Sequence, residues 1–183
     1  MKNIVLIIAF ALSHTFAFSQ QLVISHTGSS SCEFNLAVDG TPLTKISDCD
    51  YEAQQVVGGT TYQLEASPDG SNNLAGISTL DLIWIQRGLL FNFDNYSPVQ
   101  IYKCDVDQDG AVSTYDIVSM RALILGITTD IPGYHILGPG SVIPDDLDPY
   151  DFQVDFSTLN FDVEDFNASG QLEIDVIKIG DID

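Results

Sequence analysis

The chain has 183 residues, with 26 acidic side chains against 6 basic ones and a formal net charge of −20. Such an excess leaves no cationic surface for a phosphate backbone or an anionic lipid face, which argues against a nucleic-acid partner and against docking on acidic membranes. An apolar share of 45%, with 14 glycines and 7 prolines, fits a globular protein rather than a disordered acidic tail or a collagen-like chain.

Residues 1–19 read as a secretory signal peptide. Lys2 gives a short positive start, Ile4 to Leu12 form an uninterrupted apolar run, and Ala17 and Ser19 match the small-residue pattern before a cut after Ser19. An uncleaved anchor needs about twenty apolar residues. His14, Thr15 and Ser19 interrupt the run, and no other stretch is long enough to span a bilayer. The protein is therefore expected to be secreted or displayed at the cell surface, with no membrane span after cleavage.

Residues 20–66 read as a small β unit. Phe34, Leu36 and Val38 alternate with polar residues, Asp39-Gly40 marks a turn, and Tyr62, Leu64 and Ala66 alternate again. Secretion makes disulfides durable, and Cys32 and Cys49 flank sixteen residues of this unit, so they are the favoured pair over unpaired thiols. Cys104 is left over; with no His beside it, a half-buried thiol is the simpler reading than a catalytic one.

Residues 67–127 change period. Leu82, Ile85 and Leu89 fall on one helical face, as do Ile117, Met120 and Ile124, and each run follows Ser-Thr-x-Asp. The segments 77–91 and 112–126 form an internal repeat at a constant offset of 35, pairing Ser78 with Ser113, Asp81 with Asp116 and Leu90 with Leu125.

The second repeat carries the sharpest motif. In DVDQDGAVSTYD (105–116), Asp105, Asp107 and Asp109 occupy positions 1, 3 and 5 of a twelve-residue loop, and Gly110 stands at position 6, where the backbone turns. The carbonyl of Ala111 falls at 7, Ser113 at 9 acts through water, and Asp116 closes the loop at 12. This is the spacing that wraps oxygen ligands round Ca2+; Mg2+ demands a smaller octahedral cage. Val112, at position 8, is expected to pin the loop to its neighbour.

The repeated loop and helix resemble the type I dockerin module of bacterial cellulosomal and cell-surface proteins. NNLAGISTLDLIWIQRGLL (72–90) is similar to the family pattern, and the second repeat matches through Gly126. The resemblance implies an α+β chain: a small N-terminal β unit (20–66), a dockerin-like pair of calcium loop–helix repeats (67–127), and a C-terminal β/loop extension (128–183) packing on the module. It also implies a protein partner, cohesin-like in that family, contacted near Leu80, Tyr115 and Arg121. Leu80 and Tyr115 are bulkier than the hydroxyl pairs of many family members.

The first loop departs from the ligand pattern. Gly70, Asn72 and Leu74 occupy its positions 1, 3 and 5, so a second ion there would lean on Asp69, Asn72, Asn73 and Asp81. A third stretch, DFNASGQLE (165–173), imitates a calcium loop but has Val176 at position 12, and a hairpin turn between strands explains it equally well.

Residues 128–183 return to β and loop character. Pro132, Pro139, Pro144 and Pro149 interrupt any helix, and PDDLDPYD (144–151) is expected as a solvated acidic loop. Phe152, Val154 and Phe156 alternate, as do Leu172, Ile174 and Val176. No HExxH, GxSxG, CxxC or phosphate-binding glycine loop occurs, so the chain reads as non-enzymatic. Trp84 is expected to pack rather than to form a sugar platform. Two functions follow: a calcium-binding module for protein–protein assembly at the cell surface, or an accessory protein of polysaccharide degradation tethered to a cohesin-type scaffold.

Overall fold

The computed structural model describes residues 22–27, 32–53, 56–69, 74, 76–128 and 133–182; the signal-peptide assignment to 1–19 lies outside them. Alternation governs the first strands. β1 (Val23–His26) and β2 (Phe34–Val38) turn apolar residues inward, and β2 folds back through Asp39 (φ +48°) and Gly40 (φ +73°) into β3 (Thr41–Pro42). Consecutive positive φ values suit the right-handed twist of a tight hairpin. Three further strands follow before the helices: β4 (Thr44–Lys45), β5 (Asp50–Glu52) and β6 (Tyr62–Pro68).

Three short helices come next. α1 (Thr79–Phe91) and α3 (Thr114–Ile124) each start from a capping box, Ser78 with Asp81 and Ser113 with Asp116. Between them lies α2 (Pro98–Lys103), capped by Ser97 and Gln100 with proline in its first turn. The chain then returns to strands: β7 (Tyr134–Leu137), β8 (Leu159–Phe161) and β9 (Gln171–Lys178).

The strands form two sheets, one in the order β4-β5-β1-β9-β7 and the other β3-β2-β6-β8. β1 pairs parallel with β9 (Val23 opposite Gln171) and antiparallel with β5; β6 pairs antiparallel with both β2 and β8. Side chains from both sheets share one core that includes Ile24, Phe34, Leu36, Leu64, Ile136, Phe161, Leu172 and Ile174. Cys32 and Cys49 are joined as a disulfide, their Cα atoms 5.5 Å apart, at one end of this body.

These pairings overturn the expected fold class. The molecule is a β-rich fold of two sheets carrying three short helices, not an α+β chain with a small β unit, a dockerin-like helix–loop pair and a separate extension. The physical reason is burial. Strands within 20–66 have too few neighbours of their own to cover Ile24 and Leu64, so β1 takes β9 and β6 takes β8 from more than 95 residues away. The alternation at Phe152, Val154 and Phe156 does not become a strand; those side chains pack with Tyr102, Leu137, Ile143, Ile177 and Ile179 between the sheets and the helices.

A second core lies beneath the helices. Ile85 of α1 and Met120 of α3 are fully buried there with Ile77, Phe93, Ile101, Cys104, Val106, Val112, Leu123 and Ile182. Gly88 makes room for Phe93: a Cβ at that position would lie 2.1 Å from the ring. Among the described residues no helix is long and apolar enough to cross a membrane.

Candidate metal centre

The loop before α3 is shaped by its own carboxylates. Asp105 Oδ1 accepts the Asp109 N–H at 3.1 Å, and Oδ2 accepts the Gly110 N–H at 3.0 Å. The chain reverses through Gln108 (φ +58°) and Gly110 (φ +91°), the second a conformation that a side chain would strain. Asp116, wholly buried at the start of α3, accepts N–H groups from Val106 (2.6 Å), Asp107 (3.2 Å) and Ser113 (2.6 Å).

Asp105, Asp107 and Asp109 converge, with a carboxylate oxygen of each within 4.8 Å of the others. Asp105 is buried whereas Asp107 and Asp109 are exposed. Burial pushes the Asp105 carboxyl up to about 6, with the charge of Asp116 adding to the rise and the Gly110 and Asp109 N–H groups opposing it. Burial also raises Asp107, helped by Asp109, and raises Asp116 against the pull of its N–H partners. Desolvated carboxylates held this close are costly when charged, and a bound divalent cation relieves that cost.

Of the expected ligands, Asp116 stands apart from the converging trio: its oxygens are committed to backbone donors. Ser113 is likewise engaged, its hydroxyl accepting the Tyr115 N–H at 3.0 Å as the helix cap. Ala111 follows directly, its N–H bonded to Asp109 Oδ1 at 3.1 Å. Val112 does not pin the loop to the first repeat. Its N–H donates to the carbonyl of Pro149 at 2.6 Å, while Phe152 N–H donates to Gly110 O at 2.6 Å. The stretch 144–151, expected only as solvated, therefore braces this loop through its backbone while Asp145, Asp146, Asp148 and Asp151 face solvent. Sequence reasoning missed that support because nothing in the acidic composition of the segment encodes backbone pairing.

The residues proposed for the first loop do not converge. Asp69 is exposed at the end of β6, 3.8 Å from Lys45 Nζ and 3.5 Å from Asn35 Nδ2. Asn72 and Asn73 lie outside the described residues. Asp81 is wholly buried, but Oδ2 holds the Ser78 N–H and hydroxyl (2.7 and 3.0 Å) and Oδ1 holds the Ile182 N–H (2.8 Å).

The stretch 165–173 forms a turn in which Asn167 Oδ1 accepts the Ser169 and Gln171 N–H groups at 2.9 and 3.1 Å. It is not a hairpin, since β8 and β9, on either side of it, belong to different sheets.

Leu80, Tyr115 and Arg121 are exposed on the helices, Leu80 at 48% and Tyr115 at 70%. Repeat-equivalent neighbours are exposed with them: Ile83 with Val118, and Leu90 with Leu125. Trp84 is half-buried, packed edge-on against Tyr96 and covered by the Arg87 guanidinium. Cys104 is fully buried, which drives its thiol far above the ordinary range. No protein-family model, curated protein or solved structure matches the chain. The resemblance to dockerins thus rests on the quoted sequence motifs.

Proposed function

We propose that the chain is a secreted, non-enzymatic protein whose loop 105–116 binds calcium, and that α1 and α3 dock a protein partner at the cell surface. The observation that carries the calcium reading is the convergence of Asp105, Asp107 and Asp109 in one oxygen-rich turn. These three carboxylates would hold the ion, with loop carbonyls completing the oxygen set that Ca2+ prefers. The ion supplies positive charge; Asp116 shapes the loop by collecting its N–H groups. The buried Cys32–Cys49 disulfide pairing is compatible with an oxidising compartment.

Support for the docking reading comes from the exposed residues. Leu80, Ile83 and Leu90 on α1 match Tyr115, Val118 and Leu125 on α3 position for position. Large apolar and Arg side chains left in solvent at related sites are typical binding anchors.

The test is a calcium titration followed by mass measurement under native conditions. The expected outcome is a calcium adduct that excess chelator removes and that Asp107→Asn/Asp109→Asn weakens. Absence of calcium binding at millimolar concentration, or equal binding by the double variant, refutes the assignment.

A further inference from the structure

We propose that the first loop–helix unit is discontinuous in sequence, and that residues 180–182, beyond β9, complete its loop. The proposal goes beyond the calcium reading and does not depend on it. In the second unit, Val106 donates its N–H to Oδ1 of Asp116, the helix carboxylate, and buries its side chain in the helical core. In the first unit the corresponding carboxylate is Asp81, and its Oδ1 takes an N–H from Ile182, which is buried in that same core. Both donors follow an aspartate, Asp105-Val106 in one case and Asp181-Ile182 in the other.

Four further contacts fix residues 180–182 in place. Gly180 N–H donates to Lys103 O at 2.8 Å, next to the end of α2. Gln100 Nε2 donates to Ile182 O at 3.3 Å. Gly180 (φ +87°) passes so close to Met120 and Ile77 that a Cβ would lie 3.3–3.4 Å from their side chains. Gly76 (φ +80°) lies under the Asp181 carboxylate, which would approach a Cβ there to 2.5 Å. The two glycines thus admit the returning segment at the points where side chains would exclude it. Leu74 is no defect in this view, because the first unit draws the opening residues of its loop from another part of the chain. The segment is a strap from β9 to the base of α1, so the start of that helix is set by the sheet.

Hydrogen exchange of the full chain in excess chelator tests the proposal. Ile182→Pro removes the N–H while keeping an apolar residue. It should speed exchange of the Ser78 amide, held by Asp81, by about tenfold or more, as expected for losing a hydrogen bond to a charged acceptor, and leave the Ser113 amide unchanged. Val106→Pro should do the reverse. Equal acceleration at both amides, or none at Ser78 in Ile182→Pro, overturns the assignment. Should Ile182→Pro fail to fold, Gln100→Ala serves: exchange of the Ile182 amide should rise several-fold, and an unchanged rate refutes the strap.

Discussion

Asp116 and Asp109 share one loop but should fail in different ways. Asp116→Ala leaves three backbone donors without a partner. The Val106 N–H is buried, while those of Asp107 and Ser113 are partly reached by water. An orphaned buried donor costs ~1–3 kcal/mol, so Val106 counts in full and the other two at roughly half. Returning ~1 kcal/mol for a carboxylate whose charge burial penalises leaves a net loss of about 2–3 kcal/mol. That loss should be present without calcium. Asp109, by contrast, is exposed and accepts one N–H, from Ala111. Its removal should cost within ~0.5 kcal/mol in chelator, yet diminish the ~2.7 kcal/mol that calcium at a hundredfold its dissociation constant adds to wild type. The assay is urea unfolding followed by the single tryptophan, Trp84, which packs in the helical layer, with and without calcium. Full calcium stabilisation in Asp109→Ala would place the ion elsewhere. A negligible cost for Asp116→Ala in chelator would show that its carboxylate does not hold the loop.

Three other outcomes follow from the same geometry. The Asp105 carboxyl titrates near 6 in the folded state against 3.8 normally, so the stability it contributes is present below about pH 4 and lost as pH rises through about 6. Metal-free protein should therefore melt higher at pH 5 than at pH 7, and Asp105→Asn should flatten that difference; an identical slope in the variant refutes the attribution. Gly88→Ala, which adds helix propensity, should nonetheless destabilise by ~1–3 kcal/mol, because the new Cβ meets the Phe93 ring held between Tyr96 and Tyr150; a stabilised variant in thermal melts would contradict this. Leu80→Ala/Tyr115→Ala should abolish capture of a surface partner while leaving the melt within about 0.5 kcal/mol of wild type, and a large loss of stability would instead make these residues structural.

Local signals were legible where a residue's neighbours in sequence are its partners in space. The alternation of Phe34, Leu36 and Val38 coincides with β2, and that of Leu172, Ile174 and Val176 with β9. The spacing of Ile85 and Leu82, or Met120 and Ile117, points these residues into the helical core. Long-range pairing left no comparable trace. Nothing in Val23–His26 announces a parallel partner at 171–174, and that pairing is what merges the two ends of the chain into shared sheets. The helix α2 was invisible because six residues are too few to display a helical period. At the candidate site the spacing located Asp105, Asp107 and Asp109, but it also grouped Asp116 with them. Position twelve is the third residue of a capped helix as well, and the backbone donors claim that carboxylate.

The repeat is symmetric in sequence and unequal in structure, and the difference follows from what each loop has at hand. After Asp105 the second loop contains its own Val106 donor and its own converging carboxylates, so it closes locally. The first has Leu74 exposed where the second has Asp109, and its Asp81 is satisfied by a backbone group 101 residues away. Closure by a distant segment costs more chain entropy than closure within twelve residues, yet here most of that cost is already met, because β9 is held against β1 and β7 and delivers residues 180–182 to the helical layer. The outer faces of α1 and α3 keep their correspondence in spite of this, Leu80 with Tyr115 and Ile83 with Val118. Unequal means of closing the loops thus leave two related helix surfaces exposed, and that preserved relation is the reason to look for a partner there.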